Sequence, residues 1–448
     1  MSNIPMASLI ILLAINIIYS EKIFKIPFKT DSTVSLFSDQ TNPIANKFMS
    51  QLVVELSIGN PEQKFNCALN LNSYHSLFLS HKIGDIGLHT FYNKSLSSTY
   101  SCNENMTDYP NEDFSKAESF SDIVKLYSPA NKPIFNEELN FLLIDDLAED
   151  EENDFYAPGE IGLKLESYNN NEYPEDDRFI YQIKNKGYTR NCIFTFEFEN
   201  NGENAKKDNG NFILGKDVYY NNNYLKINIK SKEWVLNFDK VLYGNKEIES
   251  PAQAIVETKN GLIVGTIDYE DFIKEFFGNQ TNCYMKKTKM GYKMYNYYYC
   301  DEDFNEAKME NLTFYFDVNR KEINFTFSGK ELFFEENGKK YFKIIFFTFP
   351  NYFWYLGREF IKKYQLFFDT ERKNIYVKYN NDFSFISYFN DVDFWTLISL
   401  VIAILSVIIF IIFYPKKNKR SKRKKRNKRK NELEDEKDKK EEKLELLN

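Results

Sequence analysis

The sequence predicts an all-β folded region followed by one C-terminal transmembrane helix, and three observations carry that reading. Between residues 52 and 379, short runs with apolar residues at alternate positions are separated by Asn, Gly, Asp and Lys clusters. Residues 394–414 (FWTLISLVIAILSVIIFIIFY) form an uncharged stretch of 21. Residues 416–430 then hold twelve Lys and Arg among fifteen. A length of 448 leaves room for two or three domains and a large core. Seventeen glycines and twelve prolines are too few for a collagen-like or proline-rich scaffold. The aromatic share of 17% accompanies frequent Asn and Lys, which fits base-biased coding better than stacking on nucleic acid.

Taken in order, residues 1–20 read as a signal peptide. Their apolar core at 9–18 (LIILLAINII) is too short to span a bilayer, and charged Glu21 and Lys22 follow it. An uncleaved anchor is the alternative. The strands come next: 52–58 (LVVELSI), 192–198 (CIFTFEF), 312–316 (LTFYF), 323–327 (INFTF) and 374–379 (NIYVKY). Their β-branched and aromatic content with a period of two selects strand over helix. Helical patterning is confined to 269–277 and 359–363. No repeat of solenoid or propeller length is present.

Residues 394–414 are long enough for a hydrocarbon core of about 30 Å. Phe394, Trp395 and Tyr414 lie at the ends, where aromatic belts form. The basic run beyond them places residues 415–448 in the cytoplasm by the positive-inside rule. The expected topology is type I, with a lumenal or extracellular ectodomain in the secretory pathway or at the cell surface. The formal charge of −7 conceals an asymmetry, because residues 416–448 carry +8 and leave −15 on residues 1–415. So acidic a folded part argues against nucleic-acid binding. The basic run is a stop-transfer signal with affinity for anionic lipid.

Five sequons accord with lumenal exposure: Asn93, Asn105, Asn279, Asn311 and Asn324 are candidate glycosylation sites. Of five cysteines, Cys283 and Cys300 close a short tyrosine-rich loop and form the candidate disulfide. Cys67, Cys102 and Cys192 remain unassigned.

From residue 52, LVVELSIGNPEQKFNCALNLNSYHSLFLS resembles the opening of pepsin-like aspartic proteases of family A1. Ile58-Gly59-Asn60-Pro61-Glu62-Gln63 matches the family's Ile-Gly-x-Pro-x-Gln, and ungapped continuation sets Asn70-Leu71-Asn72-Ser73 on Asp-Thr-Gly-Ser. Residues 89–100 (HTFYNKSLSSTY), Gly159-Glu160-Ile161-Gly162-Leu163, 210–218 (GNFILGKDV) and Trp234 resemble later family segments in the right order. Residues 254–266 (AIVETKNGLIVGT) match Ala-Ile-Val-Asp-Thr-Gly-Thr-Ser-Leu-Leu-x-Gly-Pro without a gap. Tyr355-Leu356-Gly357-Arg358-Glu359-Phe360 and Leu366-Phe367-Phe368-Asp369 resemble the family's endings.

The resemblance implies an all-β bilobal fold, with a first lobe over 51–209, a second over 210–385, and a cleft for extended peptide between them. Residues 21–50 become a short prosegment-like N-terminal segment, since KIFKIP at 22–27 resembles the start of a family prosegment. Family catalysis uses two Asp carboxylates sharing one proton. Here Asn70 and Glu257 occupy those positions, with Leu71, Asn72, Ser73, Thr258 and Lys259 as catalytic-loop neighbours. An amide cannot act as a base, and the extra methylene of Glu257 shifts its carboxyl by roughly 1 Å. Leu71 removes one of two Thr hydroxyls that cross-brace the family's loops, and Thr258 keeps the other. Tyr109 lies within one residue of the family's flap Tyr, in a stretch at 109–126 without glycine.

Asp369-Thr370-Glu371 falls on the C-terminal strand rather than on a catalytic loop. His75, His81 and His89 lack a metal-binding spacing. The expectation is a monomeric pseudoprotease without metal or cofactor, binding peptide or protein in the interlobe cleft. Its rivals are an active endopeptidase using Glu257 with an Asn70-held water, and a structural surface protein.

Overall fold

A computed structural model of the chain describes residues 23–31, 42–83, 91–108, 116–128, 132–146, 157–166, 177–199, 208–218, 224–290, 293–318 and 321–378. The signal-peptide, transmembrane and tail expectations, with Tyr109 and His89, lie outside these residues. Among the described residues no helix is long and apolar enough to cross a membrane.

A thirteen-stranded sheet joins the two halves of the fold. Phe24–Asp31 lies within it, pairing antiparallel with Gln51–Ile58 on one side and Asn209–Leu214 on the other. Alternation drives this placement: Phe24, Ile26 and Phe28 are buried while Lys25 and Lys29 are exposed. Residues 24–31 of the N-terminal segment are thus an integral strand. Beyond Asn209–Leu214 the sheet continues through Ile193–Phe198, Leu366–Asp369, Asn374–Lys378 and Tyr224–Asn228. The expected strands at 52–58, 192–198, 312–316, 323–327 and 374–379 appear as Gln51–Ile58, Ile193–Phe198, Leu312–Val318, Lys321–Phe327 and Asn374–Lys378.

The two lobes repeat one topology. In the first, Gln63–Asn70 runs into a loop and returns as Leu77–Leu79, and Gly159–Gly162 lies between these strands, parallel to the former and antiparallel to the latter. In the second, Gln253–Val256 runs into a loop and returns as Ile263–Val264, with Trp354–Leu356 between them in the same two senses. Asn70 ends the first strand, and Glu257 follows the corresponding second-lobe strand. A glycine marks each intervening segment because the loop backbone comes so close. A Cβ on Gly162 would lie 2.4 Å from His75 O, and one on Gly357 2.1 Å from Leu262 O.

The core behind the loops is aromatic. Phe194 stacks on Phe368 at 4.9 Å, and Trp234 meets Phe368 at 5.1 Å. The indole N–H of Trp234 donates to Leu163 O at 2.8 Å, satisfying the polar end of a fully buried ring. The helices expected at 269–277 and 359–363 appear as Ile267–Gly278 and Arg358–Lys363. Two more were not anticipated, Pro43–Met49 and Phe179–Asn185. Asn42 caps the former by accepting from Ile44 N at 3.0 Å, and Pro43 occupies its first turn. Its Phe48 packs on Tyr295 at 5.1 Å, and its Phe48 O accepts from Gly261 N at 2.8 Å. The helix thereby buttresses the loop that follows Gln253–Val256.

Cys283 and Cys300 stand opposite each other in a hairpin and are disulfide-bonded. Cys67 and Cys192 are buried and Cys102 is exposed. Among the sequon asparagines, Asn279, Asn311 and Asn324 are exposed, whereas the Asn93 side chain caps a short turn by accepting from Ser95 N. Asn105 lies on the Ser101–Asp108 strand.

Candidate functional site

The repeated strand–loop–strand units bring the two loops together, although 187 residues separate Leu71 from Thr258. The Thr258 hydroxyl accepts from Leu71 N at 3.2 Å and donates to Leu69 O. One hydroxyl therefore satisfies two buried backbone groups of the opposite loop. At the position facing it, Leu71 offers no hydroxyl and packs into the hydrophobic core. The brace runs in one direction only.

Asn72 forms the second bridge. Its backbone N–H donates to Asn70 Oδ1 at 2.9 Å, and its side-chain amide donates to Glu257 Oε2 at 3.0 Å. Asn260 donates its amide to the other oxygen, Glu257 Oε1. Both carboxylate oxygens are thus held by neutral amides. Asn72 Oδ1 is buried without a hydrogen-bond partner among the described residues. Ser73 turns away, donating to His75 O at 3.0 Å while its carbonyl accepts from Lys164 N.

Glu257 is almost fully buried, and burial raises its pKa to about 7. The donors Asn260 and Asn72 and the charges of Lys259 and Lys293 oppose that shift without cancelling it. Asn70 is buried and cannot ionise. Where a shared-proton pair needs two carboxyl groups, this centre has one.

A family model described as eukaryotic aspartyl protease matches residues 51–378. The chain belongs to that family. No curated protein matches the chain. The match extends across both lobes and takes in both loops.

Other residues singled out in the sequence stand apart from the centre. Asp369 is buried in the turn between Leu366–Asp369 and Asn374–Lys378, where it accepts from Arg372 N at 3.1 Å. Burial, with Arg178 and Lys164 nearby, lowers the His75 pKa to about 4 and keeps the ring neutral. No metal-binding group of His, Cys, Asp and Glu occurs among the described residues. Ser101–Asp108 and Lys116–Tyr127 pair as the hairpin that flanks Tyr109. Asp122 anchors this hairpin, accepting from Tyr92 Oη at 2.7 Å and from Thr99 Oγ1.

Sequence reasoning missed Asn260 and Lys293. Asn260 lies three residues beyond Glu257, and in so Asn-rich a chain nothing distinguishes its amide. Lys293 reaches the site from a different strand, Lys293–Asp301.

Proposed function

We propose that this aspartyl protease family member is a single-pass membrane protein whose ectodomain binds extended peptide in the interlobe cleft without cleaving it. One observation carries the reading: Asn72 bridges Asn70 and Glu257 at a centre with one ionisable carboxyl group. Family hydrolysis needs an ionised carboxylate to take a proton from water and a protonated partner to donate one to the substrate's carbonyl oxygen. Asn70 can supply neither, and loss of one acid–base partner costs about 10²–10⁴-fold. The longer Glu257 side chain adds a positioning loss of about 10²-fold. The membrane anchor rests on the uncharged run 394–414, and the cytoplasmic tail on the basic run that follows.

A second reading has an observation of its own. A carboxyl group titrating at about 7 is poised for general acid–base work near neutrality, so Glu257 with a water held by Asn70 would make a divergent endopeptidase. The experiment compares wild type with Glu257→Ala on unfolded protein substrates from pH 3 to 8. Pseudoprotease behaviour requires no cleavage by either protein. Cleavage present in wild type and abolished in Glu257→Ala would establish the enzyme instead. Asn70→Asp with Glu257→Asp should restore little, because Leu71 and Lys259 remain.

A further inference from the structure

Two lysines lie near Glu257, and one of them borders a group of aromatic rings. Lys259 follows Glu257 on the loop and Lys293 opens the neighbouring hairpin strand, and both ammonium charges act on the Glu257 carboxylate. The Lys293 ammonium lies 5.5 Å from the centroid of the Phe347 ring. Phe347 stacks on Phe349 at 4.7 Å and meets Tyr355 at 6.0 Å. Tyr355 in turn pairs with Ile255, two residues before Glu257. Lys293 thus borders a ring surface whose first members, Phe347 and Tyr355, are buried and half-buried.

That surface continues outward. Phe349, Tyr352 and Phe353 are 49%, 53% and 43% exposed, and Met294 is 39% exposed. These are four of the eight large hydrophobic residues exposed among the described ones, gathered on two adjoining segments. Thr348 N donates to Met294 O at 3.0 Å, tying the segments together. The aromatic loop is fixed from within, since Ile267 N donates to Asn351 O at 2.8 Å and Asn351 donates to Gly265 O at 3.1 Å. An anchored loop holding three aromatic rings in water is a feature of recognition surfaces.

Two lysines at the root of an aromatic rim complement one ligand chemistry, and they do so in a chain that carries −15 outside its tail. We infer that this rim receives an extended peptide with an acidic residue beside a bulky apolar one. The peptide carboxylate pairs with Lys293 and Lys259, and the apolar side chain lies on Phe349 and its neighbours. This inference rests on the peptide-binding reading above.

The test uses the full chain in zwitterionic nanodiscs and fluorescence anisotropy with labelled Gly-Glu-Phe-Glu-Phe-Gly, its Gln counterpart and its Lys counterpart. The Glu probe should bind about tenfold tighter than the Gln probe, the effect of one partly desolvated ion pair. The Lys probe should bind weakest. Lys293→Gln should abolish most of that preference and Lys293→Arg should keep it, both at unchanged melting temperature. Phe349→Ser should weaken all probes alike. Equal affinity for the Glu and Gln probes, or a preference surviving Lys293→Gln, overturns the inference while leaving peptide binding intact. No binding by any probe overturns the peptide-binding reading itself. Sedimentation with phosphatidylserine vesicles that Lys293→Gln abolishes, with no probe bound, overturns both and assigns the rim to lipid.

Discussion

Glu257→Gln should flatten one part of the pH dependence of stability, and the structure sets its sign and size. The Glu257 carboxyl titrates at about 7 in the fold against 4.5 ordinarily, because burial penalises the charged form. Below about pH 4.5 the carboxyl is protonated in both folded and unfolded chains and contributes no slope. Between about 4.5 and 7 the folded state keeps a proton that the unfolded state has lost, so stability falls as pH rises. Above about 7 both are ionised and the slope ends. At about 1.4 kcal/mol per pH unit the total loss is about 3.5 kcal/mol, of which about 2.5 falls between pH 5 and pH 8. A glutamine cannot ionise, so the variant lacks this loss. Melting curves of both proteins at pH 5 and pH 8 give the test. With roughly 2 °C per kcal/mol for a unit of this size, wild type should lose about 5 °C more than the variant over that interval. The lowered pKa of His75 acts in the opposite sense, withdrawing stability as pH falls below its ordinary 6.5 towards about 4. Both proteins carry His75, so it cancels in the difference. Parallel pH profiles would refute the placement of Glu257 as a buried, amide-held carboxyl.

Two further outcomes follow from separate parts of the chain. Thr258→Val keeps the shape but strands the buried Leu69 C=O and Leu71 N–H, at about 1–3 kcal/mol each. At roughly 2 °C per kcal/mol the melting temperature should fall by about 4–12 °C, Thr258→Ser should recover most of it, and an unchanged value for Thr258→Val would exclude the one-way brace. For topology, protease added to sealed vesicles whose lumenal side faces out should leave a protected fragment containing residues 416–448. Digestion of that tail with the ectodomain spared would reverse the orientation.

What the sequence made legible was what local chemistry enforces. Gln51–Ile58 was readable because apolar residues alternate ahead of a Gly-Asn-Pro turn, and it pairs with Gln63–Asn70, Val53 opposite Ala68. The pairing of Phe24–Asp31 with Asn209–Leu214 was not, because it joins residues nearly two hundred apart with no shared pattern. Pro43–Met49 escaped for another reason. Seven residues make two turns, too short to show periodicity or to be stable alone, so its helix depends on contacts such as Phe48 with Tyr295. At the candidate site, the resemblance singled out Asn70 and Glu257, which Asn72 bridges, but not the amides that hold the carboxyl. Asn72 and Asn260 are ordinary asparagines until the folded loops turn them towards Glu257.

The two loops separate structural demand from catalytic demand. Thr258 satisfies two backbone groups that would otherwise be buried unpaired, a requirement that holds whether or not a substrate is ever cut. Leu71 gives up the reciprocal hydroxyl and gains core packing, and the strands on either side still close around it. Gly162 and Gly357 are fixed by backbone contact, again without reference to chemistry. The groups that hydrolysis alone requires are two carboxylates, and on the resemblance those positions would be Asn70 and Glu257. A fold can therefore match its family across both lobes while its centre lacks the family's acid–base pair. On the proposed reading, what this centre offers is one carboxyl near neutrality held by two amides, suited to binding a peptide rather than cutting it.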